Sequence, residues 1–488
     1  MKNMFSTLKL IVIALALGFL ASCSDSSVDQ NTKEALSSFL NDNDKIVGFG
    51  NADLKGILNK SDYKNVPKLG KLLNTEMSTL EKLINMEDPV YYALEGPFDV
   101  DGTPETAYAF LSVKNSDSLI TELTQRGFDF EEKKEMKYCS DGDVSIGIKG
   151  PLAVIISKSG DYNRGKALSK AFKKTEGDVS GGKIDDILDV DGDVVLGMNV
   201  ESLYKTSETD LDNLSDEKKD KLKALVKDSY IQTVMKFEDG AAIIETKNFF
   251  SKELRESMFF NSDNKAPIVA KLGQGKPRFG LSVNLDLKKM QNLVNDFSPD
   301  AMDELGKAMG GPAQFALMAA GEDGFAGLFD GQFGVVMVGE PDMTEGTIPD
   351  FNVFLGLEDR GKSLGSMAKD MMSYGSTEIT LNSEGLTAST NPVYASAGSS
   401  SLSLPAGCEN FGKSGVSAFL NLDGLDIEDW DLEGEAKILK VVKYMTFEYD
   451  ENGGRLYIKA KKGQENVLKQ TMEVIIKEFS SEINNMGI

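Results

Sequence analysis

The side chains that could do chemistry in this chain are carboxylates, because 77 of its 488 residues are aspartate or glutamate and none is histidine. The absence of histidine excludes Ser-His-Asp and Cys-His catalysis and removes the usual ligand of zinc and iron sites. Two carboxylates suffice for glycoside hydrolysis, so a carboxylate-dependent hydrolase of glycans or another extracellular polymer is kept as the alternative function. Sugar-processing sites usually stack sugar rings on several aromatic residues, whereas the only tryptophan here is Trp430. We therefore predict no catalytic residue and no cofactor.

Three aspartate-rich stretches, at 99–102, 141–143 and 186–193, offer hard oxygen ligands of the kind that calcium prefers. None of them has the twelve-residue loop with alternating ligands, a central glycine and a closing glutamate. Asp-Gly pairs are also typical of tight turns. We interpret the three stretches as turns, and we predict no metal site.

The N-terminus has the pattern of an export leader. Lys2 and Lys9 precede an apolar run over 10–20, which is too short for the roughly 20 apolar residues that cross a bilayer. The run ends in Leu20-Ala21-Ser22-Cys23, which resembles the lipobox of bacterial lipoproteins. We predict cleavage before Cys23 and lipidation of its sulfur, with several acyl chains giving a stable membrane anchor.

The residues after Cys23 indicate the destination. Aspartate directly after the lipidated cysteine signals inner-membrane retention, and Ser24 occupies that position, so we expect the outer membrane. Asp25 and Asp29, in a serine-rich stretch, resemble the acidic tag that sends lipoproteins of the Bacteroidota to the cell surface. The periplasmic face and the cell surface both remain open.

The formal net charge is −24, and the leader carries two lysines and no acid, so the mature chain is near −26. Such a surface repels nucleic acid, which is recognised by lysine and arginine. The expected partners are the membrane, through the lipid, and an unknown envelope protein or extracellular ligand. Cys139 and Cys408 are open to two interpretations, an exported disulfide or two small buried apolar side chains.

One pattern recurs four times along the chain: a strand-like apolar run, then Asn, any residue and an acid, then an apolar stretch of helical type. The four copies are Asn51 and Asp53, Asn199 and Glu201, Asn284 and Asp286, and Asn421 and Asp423. Asparagine is a good N-cap, and an acid two residues later faces the positive end of the helix dipole, so we interpret the pattern as helix capping. The alternative is that the four asparagines converge on a ligand.

The surroundings of these copies indicate a duplication. Apolar segments at 90–97 and 107–113 follow the first copy, and similar segments at 335–341 and 351–357 follow the third. The second and fourth copies each precede a predicted helix and a hairpin, whose turns are Asp239-Gly240 and Asn452-Gly453.

These patterns predict an α+β fold of two tandem homologous halves, with antiparallel sheets packed by helices and possible ferredoxin-like split βαβ elements. We divide the chain into a leader (1–22), a lipidated polar tether (23–31), a first half (32–266) and a second half (267–488).

With these features in view, the mature chain resembles a family of large envelope lipoproteins of Bacteroidota known only as a domain of unknown function. The resemblance lies in the organisation and in junctions such as Leu281-Ser282-Val283-Asn284-Leu285-Asp286-Leu287. It implies an envelope lipoprotein and transfers no catalytic or binding residue. We expect a non-enzymatic, outer-membrane-tethered binding or scaffolding module with a groove between its halves.

Overall fold

The fold is α+β, as predicted, and the strands that the structure describes form one 18-stranded antiparallel sheet. The computed structural model describes residues 29–65, 69–98, 103–158, 160, 162–173, 182–206, 214–261, 268–297, 321–339, 349–372, 378–395, 402–425, 427 and 434–485. The predicted leader, Cys23 and the boundary at 266/267 lie outside these residues, as does Trp430. The first helix begins at Asp29, so the last three residues of the predicted tether are helical.

The α-helices are α1 (Asp29–Asn41), α2 (Leu54–Ser61), α3 (Leu69–Leu83), α4 (Ser116–Gln125), α5 (Arg164–Ala171), α6 (Lys183–Leu188), α7 (Val200–Thr206), α8 (Asp216–Val226), α9 (Lys252–Ser257), α10 (Leu287–Phe297), α11 (Asp359–Met372) and α12 (Val467–Asn485). Short 3₁₀ helices span Tyr63–Asn65, Ile268–Lys271, Gly321–Gly327, Pro392–Tyr394 and Gly434–Val441. Within the described residues, no helix is both long enough and apolar enough to cross a membrane.

The strands are β1 (Ile46–Ala52), β2 (Val90–Phe98), β3 (Pro104–Ser112), β4 (Glu131–Lys133), β5 (Met136–Asp141), β6 (Val144–Lys149), β7 (Leu152–Ser157), β8 (Val194–Asn199), β9 (Tyr230–Glu238), β10 (Ala241–Phe249), β11 (Pro277–Asn284), β12 (Phe329–Val338), β13 (Asp350–Leu357), β14 (Glu378–Leu381), β15 (Gly385–Ser389), β16 (Val416–Asn421), β17 (Val442–Asp450) and β18 (Gly453–Ala460). Both predicted hairpins are confirmed as β9–β10 and β17–β18.

The same order of pairing is found on both sides of the sheet's middle. In the first half the strands run β7-β3-β2-β1-β8-β9-β10, and in the second half they run β15-β13-β12-β11-β16-β17-β18. Strands β6, β5 and β4 extend the first half, and β14 ends the second. A ferredoxin-like split βαβ unit is not confirmed, because β1 and β2 pair directly although helices connect them.

The two halves meet along paired strands. Strands β10 and β18 pair antiparallel from Ala241 opposite Lys459 to Lys247 opposite Gly453. The β9–β10 turn also docks on the chain before α12, where Gly240 N–H donates to the Glu465 carbonyl at 2.8 Å. In α12, the Gln470 side chain, 3% exposed, donates to the carbonyls of Lys462 and Glu465, both at 2.8 Å. The seam is therefore a hydrogen-bonded sheet closed by the C-terminal helix.

Both faces of the first half are covered. Alternate residues of β7 point to opposite faces, and they belong to two different clusters of buried side chains, Ala153 and Ile155 to one and Val154 and Ile156 to the other. In the second half, Phe354 and Phe419 centre a third buried cluster. These clusters position the strand ends where the four predicted junctions lie.

Cys139 and Cys408 are free and buried in different clusters, one in each half, so the disulfide interpretation is wrong. Burial raises the pKa of each thiol to about 12. Both cysteines thus serve as small apolar core residues.

Candidate functional site

The four asparagine junctions do not converge. Asn51 is the penultimate residue of β1 and lies opposite Val195, the second residue of β8, whereas Asn199 lies at the far end of β8 opposite Tyr230. Four strands separate β8 from β16, and the register aligns Asn199 with Phe249 at one end of β10 but Asn421 with Ala241 at its other end. The two asparagines therefore lie at opposite edges of the sheet. No single site is built from the repeated pattern.

In the first junction the acid, and not the asparagine, caps the helix. Asp53 is the N-cap of α2, and its carboxylate accepts from the Gly56 N–H. Asn51 is 8% exposed and donates through Nδ2 to the Leu188 carbonyl at 3.1 Å. The asparagine still belongs to the strand, and it ties β1 to the end of α6.

The third junction repeats this arrangement. Asp286 Oδ1 accepts from the Lys289 N–H at 2.9 Å at the start of α10. Asn284, 3% exposed, donates through Nδ2 to the Asn261 carbonyl at 2.6 Å, and its Oδ1 has no partner within the described residues. In both odd-numbered copies the helix therefore starts one residue after the acid.

In the second junction the asparagine has the role that the sequence suggested. Asn199 Oδ1 accepts from the Ser202 N–H at 3.1 Å at the start of α7. Glu201 receives the Lys205 ammonium at 3.0 Å and the Asp228 N–H at 3.3 Å. Burial alone would raise the pKa of Glu201, but these hydrogen bonds and the neighbouring lysine charges lower it below its ordinary value.

The fourth junction begins like the second but does not continue as an α-helix within the described residues. Asn421 Oδ1 accepts from the Asp423 N–H at 3.1 Å, which closes a local turn. Residues 422–425 form a turn, whereas at the second junction α7 follows Asn199 directly. Asp423 pairs with Lys443 at 3.2 Å, and its carbonyl accepts from Arg278 at 2.6 Å.

A pocket of about 420 Å³ opens at this fourth junction. It is lined by Pro405, Ala406, Gly407, Asn421, Asp423, Lys443, Tyr444 and Lys459. The polar groups come from three neighbouring strands, because Asn421 on β16 pairs with Tyr444 on β17, and Tyr444 pairs with Lys459 on β18. We define this set of eight residues as the β16–β18 pocket.

Tyr444 forms the aromatic wall of the β16–β18 pocket. Its ring centroid lies 6.0 Å from that of Tyr457, and the Arg455 guanidinium lies 5.4 Å above the Tyr457 ring. Burial, Tyr457 and the nearby Cys408 raise the pKa of Tyr444, so its hydroxyl stays protonated at neutral pH. The pocket therefore combines a flat ring and a hydroxyl with two lysines.

A second cavity, of about 460 Å³, collects carboxylates. Asp286, Asp330, Glu358 and Asp359 line it, beside Lys288 and Arg360. Burial raises the pKa of Asp330 although the Gln332 N–H donates to its Oδ1 at 2.8 Å. We call this second cavity the carboxylate cavity.

The described aspartate-rich stretches form turns and ion pairs except at 186–188, where the prediction of a turn is wrong because these residues end α6. Gly142 has φ +57° in the β5–β6 turn, as expected for an Asp-Gly turn. Asp193, 4% exposed, binds Lys60 at 2.5 Å and accepts from the Phe237 N–H at 2.6 Å. Among the described residues, no group of three or more His, Cys, Asp or Glu could hold a metal ion. Residues 99–102 lie outside that part of the chain.

Sequence reasoning missed Lys443, Tyr444 and Lys459. Lys443 falls where the β17–β18 register shifts, between Val442 and Tyr444, and nothing in the sequence marks that irregularity. The only available signal was the fourth Asn-x-acid copy, which correctly marked a strand end but not the residues opposite it.

Comparisons with known proteins identify no family. No family model matches the chain, and no curated protein matches it. Crystal form III of TP0453 is 10% identical over 49% of this chain and 83% of its own, with a TM-score of 0.26. Crystal form I of TP0453 is 11% identical over 48% of this chain and 79% of its own, with a TM-score of 0.24. Similarity at this level does not establish a shared fold.

Proposed function

We propose that this protein is a non-enzymatic binding module of the bacterial envelope, anchored in the outer membrane by a lipid on Cys23. The observation that carries the proposal is the β16–β18 pocket. Its volume of about 420 Å³ lies within the roughly 300–1,000 Å³ that small-molecule sites occupy, and a few polar groups converge on its apolar walls. The eight lining residues include no histidine and no pair of carboxylates, so binding is the function that the pocket supports best.

We further propose that the two halves arose by duplication and that the second half became the binding half. The identical order of seven strands in each half supports the duplication. The turn at 422–425 supports the specialisation, because the matching position directly after Asn199 is occupied by α7.

A pocket-filling variant tests the binding proposal. Ala406 is exposed and lines the pocket, so Ala406→Trp should fill it, whereas Ser403→Trp adds the same ring at an exposed position outside the lining. We expect a fragment screen of the purified lipoprotein, followed by thermal shift, to yield compounds that stabilise the wild type and Ser403→Trp but not Ala406→Trp. Fragments that stabilise all three proteins equally would place binding elsewhere.

The anchor has its own test. We expect Cys23→Ala to release the protein from the membrane fraction, because it removes the sulfur that would carry the lipid. Ser24→Asp should leave the protein membrane-bound but move it to the inner membrane. If the Cys23→Ala protein remains in the membrane fraction, the proposed anchor is wrong.

The carboxylate cavity supports a second candidate, a hydrolase of glycans or another extracellular polymer. A carboxyl group with a raised pKa beside a second carboxyl group is the arrangement that glycoside hydrolysis uses, and Asp330 lies among other carboxyl groups in this cavity. This candidate predicts release of reducing ends from a glycan panel by the wild type and loss of that activity in Asp330→Asn. Equal rates for the wild type, Asp330→Asn and a no-protein blank would eliminate it.

A further inference from the structure

We propose that the β16–β18 pocket binds a small organic anion, with a carboxylate or phosphate held between Lys443 and Lys459 and a flat body lying on Tyr444. This inference rests on the proposed binding function and specifies the ligand class for the same site.

The charges of the lining favour an anion. The protein carries a formal net charge of −24, yet the β16–β18 pocket has two lysines against one aspartate. Lys443 already pairs with Asp423 at 3.2 Å, whereas Lys459 makes no ion pair with any residue that the structure describes. A half-buried lysine without a carboxylate, in a chain so rich in carboxylates, is a ready partner for an anionic ligand.

The strands fix both lysines in place. Lys459 lies on β18 directly opposite Tyr444, so its side chain and the tyrosine ring share one face of the sheet. Lys443 occupies the register shift in β17, where its carbonyl accepts from the Leu422 N–H at 2.9 Å. Because a bulge re-aims a side chain, it brings Lys443 into the same pocket as Lys459.

The remaining groups select an organic anion over an inorganic ion. Tyr444 offers a ring for a planar or cyclic body, and Pro405 and Ala406 supply apolar walls beside it. Asn421 uses its Oδ1 for the turn, and its Nδ2 has no partner within the described residues. An amide donor is thus left for an oxygen atom of the ligand, whereas the Tyr444 hydroxyl is hydrogen-bonded to the Tyr457 side chain.

Three small probes test the ligand class on the intact lipoprotein: benzoate, phenyl phosphate and neutral benzamide. We expect benzoate or phenyl phosphate to bind in a titration followed by NMR or calorimetry, and benzamide to bind at least tenfold more weakly. The stronger of the two anions identifies the acidic group. Addition of salt should weaken both anions and leave benzamide unchanged.

Matched lysine variants locate the charge. Lys459→Gln and Lys443→Gln should each weaken anion binding about tenfold, whereas Lys461→Gln, an exposed lysine outside the pocket, should leave it unchanged. Suppose that benzamide binds as tightly as benzoate and that Ala406→Trp abolishes this binding. The ligand would then lie in the pocket but need no negative charge, which would overturn the anion inference. Anion binding unaffected by both pocket lysines would also overturn it. Failure of every fragment and every probe to bind would overturn the inference and the proposed function together.

Discussion

The second and fourth junctions have the same strand pairing and the same first backbone hydrogen bond, but the chain that follows is different. In each, the asparagine closing one strand lies opposite a tyrosine on the next, Asn199 opposite Tyr230 and Asn421 opposite Tyr444. The backbone bond that follows is also the same, from Val200 N–H to the Ser229 carbonyl at 3.0 Å and from Leu422 N–H to the Lys443 carbonyl at 2.9 Å. What differs is the chain beyond that bond.

At the second junction that chain fills the available space. Asn199 caps α7, and Tyr230 packs edge-on against Phe49 with ring centroids 6.2 Å apart. Lys183 of α6 lies over the Tyr230 ring at 6.0 Å. At the fourth junction, Tyr444 instead lines a pocket. The paired strand ends are therefore a common scaffold, and the segment packed onto them decides whether the space beside the tyrosine is filled or left as a pocket.

The largest effect is expected where the second junction is packed. Phe49 is 2% exposed beneath Tyr230, so Phe49→Ala should lower the free energy of unfolding by about 3–5 kcal/mol, because it removes buried contacts and leaves a cavity. Urea unfolding followed by circular dichroism measures the loss. Phe447→Ala, at an exposed phenylalanine, should cost far less. Equal losses for the two variants would mean that the second junction is not packed as described.

The two asparagines give the next comparison. Asn199→Ala removes an N-cap and should cost about 1 kcal/mol of stability. Asn421→Ala removes only a local turn bond and should cost a few tenths of that, while weakening ligand binding in the pocket. Urea unfolding curves for the two variants measure the difference between their losses of stability. A larger loss for Asn421→Ala would contradict the distinction between a capped and an open junction.

Local features of the fold could be predicted from the sequence because they have local causes. Asp239-Gly240 and Asn452-Gly453 identified both hairpins, since each turn needs a positive φ, and Gly240 and Gly453 have φ values of +67° and +136°. The four Asn-x-acid copies likewise marked four strand ends. The prediction that the asparagine caps the helix was wrong for the first and third copies. There the helix starts after the acid, so Asp53 and Asp286 are the capping residues.

Long-range features could not be predicted in the same way. The pairing of β10 with β18 joins segments about two hundred residues apart, and no local sequence pattern indicates it. The sequence instead suggested a groove between the halves. Lys443 and Lys459 look like ordinary solvent-exposed lysines of two strands. They become neighbours of one pocket only through the hairpin register and the bulge at Val442–Tyr444, which are tertiary properties.

The smallest expected effect concerns pH at the second junction. Because the pKa of Glu201 is lowered in the folded protein, its ionised form stabilises the fold above the ordinary value of about 4.3, and that contribution is lost as the pH falls through the lowered pKa. Glu201→Gln should therefore reduce stability at pH 7 and have little effect at pH 3, as measured by urea unfolding at both values.

Asp423→Asn is the matched variant at the fourth junction. Its carboxylate is more than half exposed beside Lys443, so solvent screens the pair, and we expect a smaller loss of stability at pH 7. An equal loss of stability at pH 7 for both variants would show that the two junctions hold their acids alike, and that the packing around Glu201 does not strengthen its ionic interactions.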